Sequence, residues 1–264
     1  EPGDYDRLVA RARALSASLI SSQKEDGGWS LSEGSENSNP VLSARVLWAL
    51  TEAKRQGVKI APEPLSRAVS YLKDAFTRTS HQDEESKALI QYVLALCKET
   101  DFGYANRLYR QRSSMGTSAL AFTALLLAHL DKKEMAGEIL DILEKKKMSG
   151  KPPASLWPTA GNSSWTATPV ETTALVVLAF EAVRPDSPVV KEGVEHLLSL
   201  RQGLGFSPYH ARGTAVAALA RYFLRSRYVG SDYDLSVLVN GKPLKEIKGR
   251  SEERRVGKEC RSRW

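Results

Sequence analysis

Residues 19–29, LISSQKEDGGW, decide the fold: an apolar helical run breaks into Q-x-x-x-G-x-W, with Gln23, Gly27 and Trp29 in the motif positions. This is a punctuation mark that closes a helical hairpin, with Gly as the local breaker. A variant returns at residues 193–206, GVEHLLSLRQGLGF, where another apolar helix ends on Gln202 and then Gly203, Gly205 and Phe206. One mark used twice, far apart, is the sign of an internal repeat.

Outward from these marks the chain reads as helices of two kinds in strict alternation. An outer series, residues 4–24, 64–78, 104–113, 132–146 and 189–201, mixes charge with one apolar stripe, the pattern of amphipathic surface helices. An inner series, residues 41–55, 84–97, 117–129, 171–183 and 214–225, is rich in Ala, Leu and Val over most of its circumference and is read as buried. Breakers separate the helices at Pro62 and Pro64, Gly103, Gly116, Pro152 and Pro153, Pro185 and Pro188, and Gly203 and Gly205. Ser187 before Pro188 reads as an N-cap followed by proline at the first helical position. Each outer/inner pair has too little to bury alone, so stacking must supply the core. The expected fold is all-α: an incomplete α/α toroid with five of six helical hairpins, the first pair lying before Glu1.

After Arg227 the composition changes. The segment SDYDLSVLVNGKPLKEI places Leu235, Val237 and Val239 in alternation, and Asn240-Gly241 is a strong hairpin signal. The expected domains are therefore residues 1–228 for the toroid, 231–249 for the start of a β domain, and 250–264 for a tail that resembles a translated sequencing adapter. That tail holds six of the 38 Lys and Arg and three of the 31 Asp and Glu, so without it the net charge falls from +7 to +4. The basic tail is the main support for a nucleic-acid partner, and setting it aside leaves the expectation of no nucleic-acid binding. It also removes Cys260, leaving Cys97 with no disulfide partner and no cysteine zinc framework. No apolar run approaches the roughly 18–20 residues a membrane span needs, so no membrane contact is expected of this chain. The residues call for no cofactor and no metal.

The ordered set DGGW, SNPVLSARVLWALTEAKRQGV, WTATPVETTALVVLAFEAV, LLSLRQGLGFSPYHARGTAVAALARYF and LSVLVNG resembles the thioester-containing domain of alpha-2-macroglobulin-like proteins, in particular the large bacterial members. The resemblance covers residues 5–247, and VETTA around Glu171 and Thr172, with VNG after the last helix, carries most of it. It implies a non-enzymatic, extracytoplasmic, broad-spectrum trap whose partners are captured proteases and the flanking β domains of its own chain. In that family a Cys and a Gln in C-x-E-Q form an internal thioester, shielded until a protease cuts a bait region, whose acyl carbon then takes a protease lysine. The chemistry needs both groups on one turn with water excluded. This sequence has no C-x-E-Q, since Cys97 is followed by Lys98, Glu99 and Thr100. The resemblance places the family's thioester on the first helix of the toroid, so either the Cys and Gln lie upstream of Glu1, which is the expectation, or this is a member that lost the motif; no catalytic residue is expected here.

Three residues remain as candidates near such a site. His81 lies in the loop TSHQDEE before an inner helix, where some complement-type members carry a thioester-assisting His; Asp83 and Glu84 in the same loop also suit a plain helix N-terminus. Tyr209 and His210 stand where a polar Thr-rich turn is usual. Cys97 reads as a buried small hydrophobe, His129 and His196 as packing or edge histidines, and Trp29, Trp157 and Trp165 as loop anchors.

The alternative is an enzyme. Gln23, Gly27 and Trp29 also fit the Q-x-x-x-G-x-W repeat of triterpene cyclases, which resemble this fold and start a cation cascade from a D-x-D-D acid. No D-x-D-D occurs; Asp232 and Asp234 come closest, beside a strand. The zinc set of the related prenyltransferases cannot be assembled around Cys97. A glycan-processing toroid calls for paired carboxylates on inner-helix ends; the inner helices read as nearly uncharged apart from Glu171 and Glu181, which stand too far apart to share one end.

Overall fold

The computed structural model describes residues 2–32, 34–80, 83–148, 156–159, 168–203, 205–226, 232–239 and 242–250. Helices come in the alternating order expected: α1 (Pro2–Ser21), α2 (Pro40–Arg55), α3 (Pro62–Arg78), α4 (Glu84–Leu96), α5 (Phe102–Arg110), α6 (Thr117–His129), α7 (Lys133–Lys145), α8 (Pro169–Val183), α9 (Pro188–Ser199) and α10 (Arg212–Ser226). Helix α6 has the bounds its composition predicts. Helix α3 starts at Pro62 rather than Pro64, because a proline in the first turn has no amide to lose and its ring pre-sets the helical φ. Side-chain caps fix five starts: Asn39 accepts from Leu42 N, Asp83 from Ser86 N, Asp101 from Gly103 N, Thr168 from Glu171 N and Ser187 from Val189 N.

Packing follows the alternation. The inner helices touch in series, α2 on α4, α4 on α6 and α6 on α8, while α3, α5 and α7 each lie against the inner helix before and the inner helix after. An outer helix that returns the chain every time makes all the inner helices run the same way. The result is an arc of an α/α toroid. Burial explains the two compositions: every residue from Thr117 to Leu127 of α6 and from Val170 to Phe180 of α8 is buried, whereas α5 buries only Ala105 and Leu108. Small residues on the inner helices let neighbouring backbones approach, and Trp48, Tyr92 and Phe122 of α2, α4 and α6 meet edge-on or tilted at 5.4–6.2 Å between ring centroids. Each such pair adds about 0.5–1.5 kcal/mol beyond the area it buries.

The Q-x-x-x-G-x-W segment is a knot of specific bonds. The Gln23 carboxamide donates to Gly27 O (2.8 Å) and, across to the next outer helix, to Pro64 O (2.9 Å). Gly27 has φ +88°, and a Cβ there would stand 2.5 Å from Arg67 O, so neither the conformation nor the space admits a side chain. Trp29, 3% exposed, donates its indole N–H to Leu19 O (2.7 Å), one of the carbonyls left open where α1 ends. Trp157 repeats the device at the end of α7, donating to Leu143 O (2.8 Å). Trp165 lies outside the described residues.

Two units divide the chain, residues 1–218 and 219–264. In the second, strands β1 (Asp232–Val239) and β2 (Lys242–Arg250) pair antiparallel, with a register shift between Val237 and Leu238. Val239 faces Lys242, so the strands flank the Asn240-Gly241 dipeptide, which itself lies outside the described residues. Arg250, placed by the sequence in the tail, is the last residue of β2. The rest of the tail, residues 251–264, is outside the described residues.

Candidate functional site: the rim of the inner helices

Because the inner helices run in parallel, their first turns share one rim of the arc. Polar side chains concentrate there. Ser43, Glu85, Ser86, Thr117, Ser118, Glu171, Thr172 and Thr214 are all buried in the first turns of α2, α4, α6, α8 and α10. Carboxylates at such places meet the positive end of the helix dipole.

The centre of the rim is an ion pair. Arg45 Nη1 of α2 lies 2.8 Å from Glu171 Oε1 of α8, with the Glu171 side chain fully buried and the Arg45 side chain 11% exposed. The Thr214 hydroxyl of α10 donates to the same oxygen at 3.0 Å. Helices α2 and α8 are not neighbours in the series, so this contact spans the arc and ties three inner helices at their starts. Burial pushes the Glu171 carboxyl above its usual range, against the opposing pull of the Arg45 charge and of the hydrogen bonds from Arg45 and Thr214. A pair held like this contributes mainly by fixing which groups meet; removal of one member leaves the other buried and uncompensated.

His210 joins this cluster. It sits in the 3-10 turn Tyr209–Ala211 that leads into α10, and burial, then the Arg45 charge, hold its imidazole below the ordinary range. The neutral form therefore prevails at neutral pH. Tyr209, adjacent in sequence, points away: it is 76% exposed, with the Arg212 guanidinium 4.6 Å from its ring centroid. His81 lies outside the described residues. Of the three residues singled out by the sequence, the structure thus brings His210 to the rim and leaves Tyr209 on the surface.

Arg45 was missed. Reading the inner helices as nearly uncharged apart from Glu171 and Glu181 passes over it, although a cation inside LSARVLWAL is itself a signal that a buried carboxylate waits elsewhere. Cys97 is only part-buried, with its thiol 3.6 Å from the Thr51 hydroxyl and raised by burial. A thiol so raised is a poor nucleophile. His196 is buried, as expected of a packing residue, and His129 is exposed. Among the described residues no three His, Cys, Asp or Glu converge as a metal site would require, and no helix is long and apolar enough to cross a membrane.

No protein-family model matches the sequence, and no curated protein does. Solved structures do match. Native alpha-2-macroglobulin from Escherichia coli, spanning domain MG7 to the C-terminus, superimposes with a TM-score of 0.66 at 13% identity over 92% of this chain and 38% of its own. Salmonella alpha-2-macroglobulin reacted with methylamine gives 0.62 at 18% identity over 88% of this chain and 15% of its own. Trypsin-activated alpha-2-macroglobulin from E. coli gives 0.60 at 14% identity, with 89% and 16% covered. The chain is thus similar in fold to a segment of the bacterial alpha-2-macroglobulins, an arc of helical hairpins that accounts for a minor part of each of those proteins.

Proposed function

We propose that this chain is the helical toroid of a protease-trapping inhibitor of the alpha-2-macroglobulin type, the domain that carries and shields a thioester for covalent capture of the protease. The observation that carries the reading is the alternation of outer and inner helices from α1 to α10 among the described residues, with 92% of the chain covered by the match to the E. coli protein. Solved structures of that fold include forms activated by trypsin and by porcine elastase and a form reacted with methylamine, a small amine of the kind an activated acyl group takes up. The rim adds support, since buried polar groups held at the first turns of the inner helices stiffen the end of the ring. The reading places the thioester Cys and Gln on a further hairpin packed against α1, whose Tyr5, Leu8 and Leu15 are 68%, 66% and 56% exposed. Capture of proteases, contact with flanking β domains and an extracytoplasmic location belong to the same proposal.

The test is chemical. Protein extended by the gene's upstream codons is treated with methylamine, and thiol release is followed together with mass. The expected result is one methylamine bound and one thiol freed per chain, abolished by changing the Gln of C-x-E-Q. An extended protein with a permanently free thiol and no mass gain would overturn the covalent mechanism.

A further inference from the structure

Helices α3, α4 and α5 enclose a groove of about 260 Å³. Its apolar walls are Phe76 and Tyr104, whose rings meet edge-on at 5.0 Å between centroids, and its floor includes the buried Leu108. Two cations stand over these rings: Lys87 Nζ is 5.4 Å from the Phe76 centroid, and the Arg107 guanidinium is 5.4 Å from that of Tyr104. From Phe102 to Leu130 the sequence has Arg107, Arg110 and Arg112 and no carboxylate. Arg107 is exposed and has no carboxylate partner among the described residues, so its planar fork of donors is free to take one.

We propose that this groove docks an acidic peptide segment that inserts one apolar side chain against Phe76 and Tyr104 and sets a neighbouring carboxylate on Arg107. The groove, at about 260 Å³, lies below the roughly 300–1,000 Å³ of pockets that bury a drug-sized ligand, which suits it to part of a larger partner such as one apolar side chain and its neighbours in a peptide. Charge selects an acidic one. The cation–aromatic contacts hold Arg107 in place before binding, which lowers the ordering cost of a charge-assisted hydrogen bond. The proposal is independent of the thioester reading, since no groove residue is among the buried polar side chains of the rim.

Fluorescence anisotropy of labelled Ac-Glu-Glu-Leu-Glu-Glu-amide with the full chain tests it, beside the Gln-for-Glu and Gly-for-Leu peptides. Saturable binding is expected below about 1 mM, at least about tenfold weaker for either altered peptide and for Arg107→Gln or Tyr104→Ala protein, and weakened by salt. Circular dichroism of the Arg107→Gln variant is expected to be unchanged, because that side chain lies outside the core. Absence of saturation, equal binding of the Gln peptide, or full binding by Arg107→Gln protein would overturn the proposal. So would a chain that sediments as a dimer until Tyr104 is changed, which would make a second copy the occupant.

Discussion

The turn after α1 and the turn after α9 each carry a Gln, then glycines, then an aromatic, yet they are fastened in different ways. At the first, the motif's own side chains do the fastening: Gln23 ties Gly27 O and, across to α3, Pro64 O, and Trp29 closes on Leu19 O, with Arg67 of α3 donating to Lys24 O. At the second, Gln202 is exposed and, among the described residues, it bonds only through its backbone, in a bridge with Gly205 (2.9 and 3.1 Å). Arg201 Nε closes locally on Gly203 O (2.8 Å), and further fastening comes from the first turn of α10, where Arg212 Nε donates to Phe206 O (2.8 Å) and Thr214 donates to Glu171. A repeated string of residues thus reports a repeated backbone shape; in one copy the side chains of the motif itself hold it, in the other the work falls to neighbouring side chains and to the first turn of α10.

The largest expected effect lies on the side of the second turn. Glu171→Ala strands Arg45 and takes away the anchor of Thr214, a loss of about 3–5 kcal/mol, whereas Arg45→Met with Glu171→Leu restores most of it. Urea unfolding measures both, and a single-mutant cost under about 1 kcal/mol would show the rim to be ornamental. Next comes the contrast between glycines. Gly27→Ala puts a methyl against a backbone oxygen at φ +88° and is expected to cost about 3 kcal/mol; Gly203→Ala, at φ +58° with open space, costs about 1 kcal/mol. Equal melting-temperature losses for the two would erase the distinction between the turns.

Smaller still is the contrast between glutamines. Gln23→Ala removes the donor from two part-buried carbonyls, about 1–2 kcal/mol, while Gln202→Ala changes stability by less than about 0.5 kcal/mol. The comparison fails if both behave as surface changes in thermal melts. The smallest effect is set by pH. His210 is held low by burial and then by Arg45. The unfolded chain therefore takes up protons first, and stability declines as pH falls through about 6.5. His210→Gln is expected to flatten that decline in part in calorimetry from pH 8 to 5, with the Gln23 turn unaffected.

Local physics made much of this legible. The small-then-apolar rhythm of TSALAFTALLLAH marks a helix buried on all sides, and α6 is one, with the expected bounds. Caps such as Ser187 with Pro188 announce helix starts because the side chain and the missing amide both act within one turn. The rim was harder. Arg45 and Glu171 come together only when four inner helices stack in series, and no window of sequence holds both. Tyr209 and His210 are neighbours in the chain, and only the direction of the 3-10 turn sends one to solvent and the other toward Arg45.

Helix α6 lies midway along the arc, with α4 and α5 on one side and α7 and α8 on the other. An opening that begins at either end must peel away those layers before it reaches α6. Amide exchange is therefore expected to be graded along the chain, fastest in α1 and slowest in the segment from Ala119 to Leu127, so that the folded state persists longest in the protein's least decorated helix.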